Sequence, residues 1–358
     1  MDNLGVERVG SDGPIVSVLI TAFNPRRYFA ASLSSALRQD LSPEKFEVVV
    51  VYRMPETLRE VLALTSSAKT LPTVRTVQSD AAPVGETFVA GLRHCRGKYV
   101  SFLNDDDTWS TNKLSSTCRA FDDDPTLGMH RHQVSFVDAQ GQIMQWRTAR
   151  HNRRLVLGSR APKHSLTIGP DPTASDLRRA APLLPMFNDS SMTLSYGVLA
   201  KFQDELSRAR AAEDVFLFYL ALCSHTRIRL SAENLGEYRI HPSNASFTQH
   251  GTSTGTKVYV PSTGALQTLD LIVEMARQSG SRPVARAAER LRIHINALNA
   301  LRSENNSRLT CLQIAGSYLP YLFDWSIPQN LATLGQLFMG LISPSLTNSA
   351  FTKVASTE

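Results

Sequence analysis

Several groups of residues in this sequence could do chemistry. Asn104-Asp105-Asp106-Asp107 sets three adjacent carboxylates directly after the apolar run Tyr99–Leu103. Carboxylates this close repel one another unless something positive binds among them. Mg²⁺ or Mn²⁺ would suit, because each takes oxygen ligands, often one or two carboxylates completed by substrate phosphates. The structural alternative is a solvated turn that caps the next helix through Thr108 or Thr111. Glu213-Asp214 opens the apolar stretch Ala211–Cys223. Such a pair either complements the positive end of a helix or supplies a general base. Tyr238-Arg239-Ile240-His241 offers a guanidinium for a phosphate and an imidazole for metal or phosphate. Between Ala139 and Pro170 lie Arg147, Arg150, Arg153, Arg154, Arg160 and Lys163 with no acid among them. That basic loop is either a solvated surface or a lid over a diphosphate or phosphorylated acceptor. Asp122-Asp123-Asp124 is a second acidic triplet, but it precedes Pro125 and reads as a surface turn.

The elements around these residues follow from hydrophobic pattern. Ile15–Ala22, Phe46–Tyr52 and Tyr99–Leu103 are near-continuous apolar runs, the composition of strands buried on both faces. Thr73–Val77 is a shorter strand, and helical stretches at 27–39, 56–68 and 84–95 fill the gaps. Strand alternating with helix specifies a mainly parallel α/β sheet. Ligands bind such sheets beyond the carboxyl ends of the strands, where the first acidic triplet sits. Further on, Asp138–Gly141 is a hairpin turn between 134–137 and 143–146, and 192–201 forms an element before the Ala211–Cys223 helix. Thr226–Leu230 and Glu237–Ile240 are two short strands, and 244–264 is a Ser/Thr/Gly-rich loop. From about 265 the pattern is helical.

With 358 residues, 42% apolar and 20% charged, the chain has material for a large core and is not a disordered polymer. A net charge of +6 suits phosphorylated ligands or an anionic surface and does not by itself imply nucleic acid. Cys95, Cys118, Cys223 and Cys311 are scattered, so neither a zinc knot nor a disulfide framework is indicated. Residues 1–14 read as a loose leader without a signal-peptide pattern, and no run is apolar enough for a membrane span. Asn-x-Ser sequons at Asn188, Asn244 and Asn305 carry no weight.

Taken in order, these motifs resemble the glycosyltransferase family 2 proteins. Val16–Asn24 is similar to that family's opening strand and turn, and Ser32–Gln39 to the helix ending in Gln. Arg96–Trp109 resembles the strand into the DxD motif and the tryptophan after it. Glu213-Asp214 resembles the ED pair and Tyr238–His241 a late motif. The resemblance implies a GT-A fold over 15–250: a mixed, mainly parallel sheet flanked by helices, followed by a helical region over 251–358. It implies an inverting sugar transfer from a nucleotide-diphosphate sugar to a glycan or lipid-linked acceptor. Mn²⁺ or Mg²⁺ would be held through Asp106, with Asp107 and His241 beside it. Asp214 would be the base, oriented by Glu213. Donor-binding candidates are Thr21, Phe23, Asn24, Tyr52, Arg53, Gly85, Asn104, Asp105 and Arg239.

The departures fall in the base-reading part. Tyr52-Arg53-Met54-Pro55 stands where the family has Asp-Asp-Gly-Ser, Phe88-Val89 where it has Arg-Asn, and Asn104 where it has the first Asp of DxD. Tyr52 could stack on a base and Arg53 could reach a phosphate, on side-chain chemistry alone. These losses keep open a non-catalytic scaffold with a degenerate GT-A fold. A nucleotidyltransferase ranks lower, because Phe23–Arg26 offers no glycine-rich phosphate loop. At the C-terminal end, Arg-rich helices precede the aromatic-rich stretches Leu309–Trp325 and Leu331–Leu346. Region 265–350 reads either as a surface lying on the inner face of the cell membrane or as packing in a homodimer. The location expected is cytoplasmic.

Overall fold

A computed structural model describes residues 13–22, 27–66, 70–81, 83–144, 164–180, 188–241, 244, 249–251, 257–259, 263–302, 312–313 and 315–317. Phe23, Asn24, the basic loop and the aromatic-rich C-terminal stretches lie outside these residues. The chain divides into two units, one of 1–172 and 183–240, the other of 173–182 and 241–358.

In the first unit the expected alternation holds. Strand β1 (Val16–Ala22) is followed by α1 (Phe29–Leu37), β2 (Phe46–Tyr52), α2 (Pro55–Thr65), β3 (Thr73–Gln78), α3 (Val84–Leu92) and β4 (Tyr99–Asn104). Every residue of β1 and β2 is buried, as their unbroken apolar runs require. Then come the two-residue β5 (Thr108–Trp109), α4 (Lys113–Asp123), the long β6 (Leu127–Val137), β7 (Leu166–Ile168), β8 (Met192–Ser195), α6 (Tyr196–Lys201), α7 (Gln203–Arg208), α8 (Glu213–Cys223) and β9 (Arg227–Arg239). The sheet order is β3-β2-β1-β4-β8-β6-β9-β5, with β7 also on β9. Strands β1 to β4 pair in parallel. Strand β8 runs antiparallel between β4 and β6. The sheet is therefore mixed and mainly parallel at its first half.

One face of β1 and β2 (Val16, Val18, Ile20, Val48, Val50) packs on Phe29, Leu33 and Ala36 of α1. Tyr99 stacks on Phe121 at 3.9 Å beneath the same sheet. The second acidic triplet ends α4 as a surface turn, where Asp124 pairs with Arg227. Two sequence readings are corrected. The segment 227–239 is one strand, not two, because bulged pairing with β6 carries it through its polar middle. Part of 244–264 is also ordered: β10 (Gln249–Gly251) pairs antiparallel with β11 (Lys257–Tyr259) in the second unit.

The second unit also holds α5 (Ala174–Ala180), α9 (Thr263–Gln278) and α10 (Arg282–Arg302). The α9–α10 corner turns at Gly280, whose φ of 77° is the left-handed region glycine enters at least cost. Ion pairs Arg277–Glu289 and Arg292–Asp270 cross the two helices. Among the described residues no helix is long and apolar enough to cross a membrane.

Gly85 has a packing reason of its own. It lies in α3 where α7 (Gln203–Arg208) crosses, and its N–H donates to Ala209 O. A Cβ there would sit 1.8 Å from Leu206 O, a backbone atom. Gly85→Ala should therefore destabilise the fold by about 2–3 kcal/mol, read as a lower urea midpoint with an unchanged slope.

Candidate functional site

The acidic turn leaves β4 at Asn104 and returns through β5. Its three aspartates are all buried, Asp107 most completely at 1% exposure. Helix α1 presents one stripe to this turn. Ser32 Oγ donates to Asn104 O, Ser35 Oγ accepts from the Trp109 N–H, and Gln39 Nε2 donates to Ser110 O. Ser32 and Ser35, at i and i+3, share a face of α1, and Gln39 follows just past its C-terminal end. Gln39 Oε1 also accepts from the Leu114 N–H, which fixes the start of α4.

Asp107 is held on both oxygens. Oδ2 accepts from Asn188 Nδ2 at 2.9 Å and Ser190 Oγ at 2.6 Å, and Oδ1 accepts from the Arg239 N–H at 3.0 Å. Burial and the charge of Asp106 push its pKa up to about 7, and these three donors oppose the rise. The geometry makes Asp107 an anchor of the turn, where the sequence suggested a metal neighbour. Arg239 completes the hold. Its Nε donates to Asp106 O, its Nη1 donates to Asp138 O, and its guanidinium lies 4.8 Å from the Tyr28 ring centre. The residue read as a phosphate ligand is thus engaged with backbone carbonyls.

Asn104 also has a structural partner. Its Nδ2 donates to Asp189 Oδ1 at 2.6 Å. Asp189 begins the 3-10 turn Asp189–Ser191 that leads into β8 (Met192–Ser195). Burial, then the charges of Glu213, Asp214 and Asp107, hold its carboxyl well above the usual range. These charges show that the acidic turn and the start of α8 (Glu213–Cys223) lie side by side. Helix α8 is buried throughout from Phe216 to Cys223, which leaves Glu213 and Asp214 half-buried at its mouth. Ala212, just before them, is left-handed at φ 54°. Burial pushes Glu213 up to about 7 and Asp214 to about 6. For Asp214 the N–H groups of Val215 and of its own residue oppose the rise, as does the charge of Arg131.

The remaining candidates occupy the ends of β1 and β2. Thr21 pairs with Asn104 across β1 and β4, and Ala22 pairs with Tyr52. Thr21, Tyr52 and Asn104 thus share the carboxyl edge of the parallel strands. Arg53 Nη2 donates to Ala81 O. His241 falls in the second unit, where its N–H donates to Asn244 Oδ1. Sequence reasoning missed Asn188, Asp189, Ser190 and Arg131. An Asn-Asp-Ser-Ser cluster before a strand resembles any loop, and the Asn188 sequon was the one signal there. Arg131 sits between His130 and His132 in a strand, and all three are buried.

Among the described residues no three or more His, Cys, Asp or Glu side chains are arranged to hold a metal by themselves. Asp105 and Asp106 are hard oxygen donors inside an excess of negative charge. That set fits a divalent cation held by one or two carboxylates and completed by phosphate oxygens.

Residues 17–171 match the model of glycosyl transferase family 2. An uncharacterized glycosyltransferase of Rickettsia prowazekii is 28% identical over 101 residues, 28% of this chain and 30% of that protein. The minor teichoic acid biosynthesis protein GgaB of Bacillus subtilis is 21% identical over 158 residues, 42% of this chain and 17% of that protein. The chain therefore spans less than a third of the length of either relative. A crystal structure of S. aureus TarS residues 1–349 in complex with UDP-GlcNAc aligns at TM-score 0.60 and 13% identity, covering 91% of this chain and 90% of that one. At that identity the likeness is one of fold.

Two outcomes follow from the site. Arg239→Met should cost roughly 2–4 kcal/mol of stability, because it leaves the Asp106 and Asp138 carbonyls without their donor; urea unfolding measures it. The Asp214 carboxyl binds its proton more tightly folded than unfolded. Its stabilising contribution is full below about pH 4 and is lost as pH rises through about 6. In metal-free buffer the Tm of Asp214→Asn relative to the unaltered chain should therefore climb between those values.

Proposed function

We propose, from the premise that residues 17–171 belong to glycosyl transferase family 2 and that the fold is of GT-A type, that this chain transfers a sugar from a nucleotide diphosphate to an acceptor hydroxyl with inversion. The observation that carries the reading is the convergence on Asp189, where the charges of Asp107, Glu213 and Asp214 all act. This supports reading the acidic turn as the metal-and-diphosphate locus and Glu213-Asp214 as a neighbouring base locus, the arrangement a single displacement would need.

In this reading Asp106 and Asp105 hold a divalent cation, and Asp107 keeps their turn in place. The cation, when bound, neutralises charge that develops on the leaving diphosphate. Asp214 takes the proton of the attacking hydroxyl. Its raised pKa makes it a stronger base than an exposed carboxylate while leaving it ionised at neutral pH. Arg131 limits that rise, and Glu213 orients the base or the acceptor. Thr21, Tyr52 and Arg53 line the strand ends where the nucleotide lies. A UDP-sugar is the first donor to test, since TarS, alike in fold, has been crystallised with UDP-GlcNAc. The acceptor class is a glycan or lipid-linked polymer of the cell envelope, in line with the assignment of GgaB to teichoic acid synthesis.

Thermal-shift measurement with Mn²⁺ and a panel of nucleotide sugars tests the binding half. A metal-dependent rise in Tm with one nucleotide is expected, and Asp106→Ala should abolish it. Were that variant to keep its full biological activity, the enzyme reading would fail and the scaffold reading would stand. The acid limb of the kcat/KM profile should fall at about pH 6 as Asp214 gains a proton. In Asp214→Asn that limb disappears and turnover drops by about 10²–10⁴-fold.

A further inference from the structure

Lys113 begins α4 and is fully buried in the first unit. Its amine meets no carboxylate among the described residues. Nζ donates to Ser101 Oγ at 2.6 Å and Thr193 Oγ1 at 3.1 Å, and it lies 3.9 Å from the centre of the Trp109 ring. The two hydroxyls also bond each other at 2.6 Å, across paired positions of β4 and β8. Burial holds this amine well below its ordinary pKa. An apolar side chain of the same length would fill the place without that desolvation cost.

The three groups Lys113 touches share one property. Ser101 stands three residues before the acidic turn, Trp109 two residues after it, and Thr193 three residues after Ser190. Ser190 in turn donates to Asp107 and accepts, on its carbonyl, from Trp109 Nε1 at 2.7 Å. One amine therefore meets both limbs of the turn and the strand that brings its anchors.

We propose that Lys113 is a positioning residue for the donor site: it sets the spacing between the acidic turn and the Asn188–Ser190 turn, and so the placement of Asp105 and Asp106. The donor part rests on the transferase reading above; the positioning part does not. The test is Lys113→Met, followed by two readouts. The first is hydrogen exchange of the Trp109 indole N–H, which needs no ligand. Its protection should fall at least about tenfold while the Tm at neutral pH holds or rises. The second is binding of Mn²⁺ with UDP-GlcNAc, which should weaken about 10–100-fold. Unchanged indole protection would overturn the proposal whatever the ligand does. Reduced protection with unchanged donor binding would overturn its donor part. Reduced protection in a protein whose unaltered form binds no nucleotide sugar would support positioning and count against the transferase reading. If Lys113→Met does not fold, Thr193→Val is measured in its place: the same loss of indole protection supports the proposal, and full protection overturns it.

Discussion

A carboxylate removed from water costs several kcal/mol unless its oxygens find donors, and Asp107 is where this chain meets that requirement. The three groups that answer it come from the Asn188–Ser190 turn and the end of β9. Most of the first unit can be read from that requirement. Strand β8 must lie beside β4 so that Ser190 reaches the turn. Strand β9 must run unbroken to Arg239 so that its N–H reaches the other oxygen. Helix α1 must present Ser32 and Ser35 on one side, with Gln39 just past its end, because the backbone of the turn has its own groups to satisfy.

Around that anchor the chain gathers acid faster than base. The charge of Asp106 acts on Asp107, those of Asp107, Glu213 and Asp214 act on Asp189, and that of Arg131 acts on Asp214. His130 and His132 are held neutral by burial, His130 down to about 3. Burial, and for Asp107, Asp189 and Glu213 also the charges of neighbouring carboxylates, raises the proton affinity of Asp107, Asp189, Glu213 and Asp214.

Much of this was legible in the residues. Runs such as Val16–Ala22 and Phe46–Tyr52 can be little else than buried strands, and the acidic triplet after Tyr99–Leu103 announces a sheet end. What was hidden depends on partners far along the chain. Ser231–Glu233 reads as a break because polarity is local, whereas pairing with β6 is not. His130-Arg131-His132 carries no motif that singles it out, yet all three side chains are buried in β6. Gly85 looks like a ligand-approach glycine, but the backbone of α7 is what comes close. Asp107 and Arg239 were found by type, and only their contacts show that they hold the turn.

The partners of Asp107 lie 81, 83 and 132 residues further along the chain. The first four strands, by contrast, are joined by short helical crossovers and need only near neighbours. Synthesis from the N-terminus therefore yields half a sheet long before it yields an anchored turn. Until residue 239 has emerged, Asp107 keeps its water, and the acidic turn remains a hydrated loop at the open edge of β4. The acidic turn is thus secured only after the parallel half of the sheet has been made, and a partly made chain has those strands without the anchor of their last turn.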